Sequence, residues 1–138
     1  MADTTRVVDY YYAMVPDKPG EATKLLRILR DARVNLLAFT AFPSQRKTQA
    51  DFVPEDPQAF VAAAKAAKLK LKGPKKVFLI DGDDRVGALS DVMARIGAAN
   101  VNITATEAVS SGTGRFAALL WVKAKDVKKA ASALGVML

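Results

Sequence analysis

An internal repeat constrains this chain more than any other feature. VPDKPGEATKLL, from Val15 to Leu26, returns as GDDRVGALSDVM, from Gly82 to Met93, at an offset of 67 residues. The apolar slots coincide: Ala22, Leu25, Leu26, Leu29 and Ala32 recur as Leu89, Val92, Met93, Ile96 and Ala99. Their i, i+3, i+4, i+7, i+10 spacing marks one face of a helix, and Arg27, Arg30 and Asp31 fall largely opposite. Around the helices Asp17 matches Asp84, Gly20 matches Gly87, Val34 matches Val101 and Asn35 matches Asn102. Ala38 and Ala41 match Ala105 and Ala108. A register kept over this span without a gap indicates duplication. The 138 residues then divide into two small units of about 65–70 residues, each marginal alone.

The first unit reads as strand, helix, strand, strand, helix, strand. Residues 1–5 read as a loose start. Arg6 to Val15 is rich in Val and Tyr, as strands are, and Tyr11 must face opposite to Tyr10 and Tyr12. After the turn the helix ends near Arg33, and Val34 to Phe42 is a second strand. Pro43, Ser44 and Gln45 supply a turn, and Thr48 to Val53 returns as a third strand. Asp56 followed by Pro57 opens an Ala-rich helix, and Lys68 to Lys72 is expected as a short fourth strand closed by Gly73-Pro74. The second unit repeats the order from KKVFLI, through Val101 to Val109, the loop SSGTGR, and Phe116 to Val122. A short helix, Asp126 to Leu134, stops at Gly135 and leaves the last strand short or missing. The expectation is an α+β chain of two ferredoxin-like βαββαβ repeats, residues 1–73 and 74–138, with antiparallel sheets and helices on one face. Such a sheet leaves its other face open, which argues for pairing of the halves and for a homodimer.

Absent residue types bound the chemistry. With no Cys and no His, disulfides, thiol catalysis, Cys/His zinc sites and Ser-His nucleophile pairs are excluded. No carboxylate pair stands out by spacing, so neither an enzyme nor a cofactor or metal is expected. No apolar run approaches the ~20 residues of a membrane span, and no leader pattern is visible, which points to the cytoplasm. The net charge of +7 raises the question of nucleic acid. Much of it lies in KAAKLKLKGPKK, where lysines alternating with Leu69 and Leu71 keep a strand edge wet, and in Lys123, Lys125, Lys128 and Lys129.

The repeated turn is where a ligand is expected. Pro19 stiffens it and Gly20 lets a ligand approach the backbone. The N–H groups of Gly20, Glu21 and Ala22 lack helical partners and lie at the positive end of the helix dipole, where a carboxylate or phosphate fits. Asp17 at the mouth can take an ammonium group, so anion and cation contacts stand side by side, as an α-amino acid requires. The bland alternative is that Asp17 and Asp84 only cap helices and the glycines only serve turns.

DKPGEATKLLRILRDARVNL and DDRVGALSDVMARIGAANVNI both resemble the signature of ACT domains, small amino-acid-binding regulatory modules. In the second copy Val86 stands where the pattern has Pro. The resemblance implies a non-catalytic tandem module, with ligand contacts at Asp17, Gly20 and Asn35, and at Asp84, Gly87 and Asn102; Lys18, Pro19 and Glu21 of the first turn and Arg85 of the second are candidate contacts beside them. It also implies a site where two modules meet and a possible partner enzyme. Pro19 favours the first copy if only one binds. Two other classes remain: a structural dimeriser without ligand, and an RNA-binding protein of the same βαββαβ order. The RNA reading is the minor one, because GRFAALLWV offers Phe116 but no second ring at stacking distance along the strand.

Overall fold

The computed structural model describes residues 3–138. The chain forms two compact units, Asp9–Lys75 and, together, the described residues through Val8 with Lys76–Leu138. Two long strands, β1 (Thr4–Pro16) and β4 (Lys72–Asp83), each contribute to both units. The loose start expected for residues 1–5 gives way to β1 from Thr4 onward; residues 1–2 lie outside the described residues.

In the Asp9–Lys75 unit, β1 leads through the turn to α1 (Glu21–Asp31), β2 (Leu36–Ser44), β3 (Lys47–Pro54) and α2 (Pro57–Ala66). The strand order is β2-β3-β1-β4, the last position filled by the start of β4. Gln45 and Arg46, at φ 51° and 69°, make the two-residue turn that matches the twist of β2 and β3. Alternation along the antiparallel β1–β3 pair sends Tyr11, Ala13, Ala50 and Phe52 toward the helices, where Leu25, Leu29 and Phe60 meet them. The Phe60 ring lies 5.1 Å from Tyr11 and 5.3 Å from Phe52. Asp56 caps α2 as expected, accepting from the N–H groups of Gln58 and Ala59 at 3.1 and 3.2 Å.

The fourth strand differs from expectation. Lys68 stands at φ 57° and the Leu69 N–H returns to the Ala64 carbonyl, so α2 closes on a left-handed residue and Lys68 to Leu71 is no strand. Leu69 and Leu71 pack on the core, and pairing begins only at Lys72. Gly73-Pro74, expected as a stop, lies inside β4. A Cβ at Gly73 would stand 2.8 Å from the Tyr10 carbonyl oxygen, so the close approach of β1 requires glycine.

In the other unit β4 is followed by α3 (Ala88–Ala98), β5 (Ile103–Ser110), β6 (Arg115–Val122), a 3-10 turn and α4 (Val127–Ala133). The order is β1-β4-β6-β5, and among the described residues no strand follows α4. The missing fourth strand is supplied by the start of β1. Phe78, Ile80, Phe116, Ala118 and Leu120 face Val92, Ile96 and Ala130 of the helices. Val77, Leu119 and Trp121 alternate to the opposite face and are buried too. The expected open face is thus closed to water at these positions. These strands read as unbroken apolar runs, which is the pattern of burial on both sides.

Candidate functional site

Both helix starts use glycine where an N-cap side chain would stand. Gly20 at φ 88° and Gly87 at φ 76° occupy the left-handed region, and neither helix has a side-chain cap. Asp17 and Asp84 therefore do not cap α1 and α3, which removes the capping alternative. Each carboxylate instead reaches a hydroxyl of a neighbouring strand within its own unit. Thr48 Oγ1 donates to Asp17 Oδ1 at 3.2 Å, and Ser110 Oγ donates to Asp84 Oδ2 at 2.7 Å.

The open amides expected at the first turn are fewer than three. The Glu21 N–H turns back to the Lys18 carbonyl at 3.4 Å, a long bond of the tightened first turn. At the second turn the Ala88 and Ser90 N–H groups do the same, to Arg85 and Gly87 carbonyls at 3.2 and 2.9 Å. Lys18 and Pro19 are exposed, and Glu21 pairs with Lys24 at 3.2 Å.

A surface cleft of about 340 Å³ lies against the second turn. Asp84, Arg85, Gly87 and Ser90 form one wall, Val109 and Ser110 of β5 another, and Phe116 of β6 lies among them. Arg85 is held from behind. It gives two bonds to the Asp3 carboxylate, at 3.0 and 3.1 Å, and one to the Asp83 carbonyl at 2.9 Å. That guanidinium holds the Asp3 carboxyl below the usual carboxylate range. Arg115 bridges Asp81 and Asp83 at 3.0 and 2.9 Å, and lowers Asp83 in the same way. Asp84 is the carboxylate left facing the cleft without a cation among these contacts.

The asparagines are placed elsewhere. α1 and α3 are 11 residues each, roughly 16 Å long, and Asn35 and Asn102 stand beyond their far ends from Gly20 and Gly87. Asn35 donates to Glu55 Oε2 at 2.9 Å and borders a separate cleft of about 410 Å³ with Leu26, Arg30 and Arg33. Asn102 is exposed. Within one unit, then, the turn residues come together and the asparagines do not join them. Sequence reasoning missed Asp3, Ser110 and Phe116, since partners brought to a turn from far along the chain carry no local signal; it also passed over Ser90, which stands in the first turn of α3.

Among the described residues no three His, Cys, Asp or Glu side chains are grouped to hold a metal ion. Phe116, the ring on which RNA stacking would depend, is 5% exposed and faces the helices. Among the described residues no helix is long and apolar enough to cross a membrane.

No family model matches this sequence, and no curated protein matches it. Solved structures do. The protein BT0572 from Bacteroides thetaiotaomicron matches 95% of this chain and 88% of its own, with TM-score 0.81 at 18% identity. The regulatory subunit of aspartate kinase from Thermus flavus matches 98% of this chain and 95% of its own, with TM-score 0.64 at 13% identity. The ligand-free regulatory subunit from Thermus thermophilus gives TM-score 0.65 at 14% identity, over 98% and 96% of the two chains. At such identities the likeness is one of fold. Over nearly its whole length this chain carries the fold of the aspartate kinase regulatory subunits, the tandem ACT arrangement that its repeated turn resembles.

Proposed function

We propose that the protein is a non-catalytic regulatory module that binds a small ligand, an α-amino acid, at its strand–helix turns. The observation that carries this reading is the second-turn cleft, where Asp84 faces the start of α3 beside Arg85 and Ser110. Asp84 takes the ammonium group, while the positive end of α3 and Arg85 take the carboxylate. A volume of about 340 Å³ lies at the small end of ligand clefts. The second copy is thereby favoured over the first, where Pro19 had pointed. The likeness to regulatory subunits supports a regulatory role, exerted on a partner enzyme or through a homodimer. For control, the ligand must bind one assembly state more tightly than the other.

A thermal-shift screen of the common amino acids tests this. At a ~100-fold excess over Kd, a ligand stabilises by about 2.7 kcal/mol, and Asp84→Asn should remove the shift. If no amino acid raises Tm at millimolar concentration while a short RNA does, the reading fails.

A further inference from the structure

Arg85 belongs to two things at once. It lines the second-turn cleft, and it is clamped by Asp3, 82 residues earlier in the chain. The clamp is built rather than incidental. Nη1 donates to Asp3 Oδ1 at 3.0 Å and Nη2 to Oδ2 at 3.1 Å, and the Asp3 side chain is only 18% exposed. Gly82, on β4, leaves the space: a Cβ there would overlap the Asp3 carboxylate, with Phe116 Cε1 at 3.0 Å on the other side. Asp3 immediately precedes β1, so the clamp also holds the start of that strand in the Lys76–Leu138 unit.

An α-amino acid presents the same group to Arg85 as Asp3 does. The Nη1–Nη2 edge of a guanidinium donates to one carboxylate in the bidentate geometry at a time, and Asp3 holds that edge of Arg85, so a ligand carboxylate that binds there must displace it. Resting on the amino-acid reading above, we propose that Asp3 is an internal competitor for the ligand. The ligand's carboxylate takes Arg85 from Asp3, and in doing so releases the start of β1. Apparent affinity is then reduced by the fraction of molecules in which Asp3 holds Arg85. By reciprocity, ligand binding weakens the hold on Thr4–Val8 by the same factor.

Titration calorimetry with each common α-amino acid as the probe tests this on the full chain, as wild type, Asp3→Asn, Arg85→Gln and the double variant. Asp3→Asn should bind about three- to tenfold more tightly than wild type. Arg85→Gln should bind more weakly, and Asp3→Asn should add nothing in the Arg85→Gln background. Equal or weaker binding by Asp3→Asn, with wild type binding, overturns the competition and leaves the amino-acid reading standing. Binding by none of the four overturns both. Hydrogen exchange on wild type needs no variant: amides of Thr4–Val8 should exchange faster when the bound amino acid is added. Unchanged or slower exchange rejects the competition.

Discussion

Phe116→Ala separates the two functional classes by its effect on stability. Phe116 is 5% exposed, in one cluster with Ile80, Ala88, Val92 and Leu120, and its ring also borders the second-turn cleft. Truncating a buried Phe to Ala costs about 3–5 kcal/mol, the lost transfer energy plus the cavity left behind. Against a total of about 5–15 kcal/mol for a domain, that is a large share. With an m-value of ~2 kcal/mol per molar urea, the midpoint should fall by roughly 1.5–2.5 M. Trp121, the one tryptophan in the chain, lies on the same strand and reports the transition by fluorescence, with circular dichroism as the second probe. An RNA-stacking ring would sit on the water side of the sheet, where removal costs under ~0.5 kcal/mol and RNA affinity falls instead. A midpoint shift near zero would refute both the core placement and the account of the cleft that depends on it.

Three further outcomes follow from the Asp9–Lys75 unit. Asp51 is buried, and burial raises its carboxyl above the usual range, opposed by the Gln49 amide at 2.9 Å and by Lys75. A raised folded-state pKa contributes stability below the unfolded value near 3.9, lost as pH rises through the folded value. Asp51→Asn minus wild type, from urea midpoints, should therefore become more favourable across that window and level off above it; a flat difference refutes the assignment. Asp56→Ala should cost about 1 kcal/mol in thermal melting, because two N–H groups at the start of α2 lose their acceptor, and Asp56→Ser should recover most of it. Gly73→Ala should lower the urea midpoint by the equivalent of about 1–3 kcal/mol or more, since φ is +125° and the new Cβ meets a backbone oxygen that has no rotamer to escape into.

What was legible in the sequence was local or periodic. The apolar slots of α1 and α3 placed both helices, and Asp56-Pro57 placed the start of α2. Where pairing across the chain decides, local signals misled. Lys68 to Lys72 alternates like a strand, yet the left-handed close of α2 at Lys68 uses those residues to bring Leu69 and Leu71 onto the core. Gly73-Pro74 looks like a stop, yet contact with β1 carries the strand through it. The fourth strand of the later unit had no sequence signal after α4, because the segment that fills its place lies at the opposite end of the chain. Asn35 and Asn102 are a different kind of miss. A strand–helix–strand crossover returns the second strand parallel to the first, so its opening residue must stand at the far end of the helix from the turn. Topology alone would have separated them from Gly20 and Gly87.

Two copies of one turn have thus become two electrostatically different places, and the difference comes from what the strands bring. Glycine at the cap position frees each aspartate from the helix start, and a strand hydroxyl then captures it. At the first turn the neighbouring charges, Glu21 and Lys24, cancel on the exposed surface of α1 and contribute little. At the second, Arg115 occupies Asp81 and Asp83, Asp3 occupies Arg85, and Asp84 lines the cleft beside Ser110 and Phe116 with no cation among these contacts. A zwitterion needs an anion and a cation close together. On the proposed reading the second turn supplies them in Asp84 and in Arg85 once Arg85 changes partner, and the Asp3–Arg85 pair is then the element that decides when the site can fill.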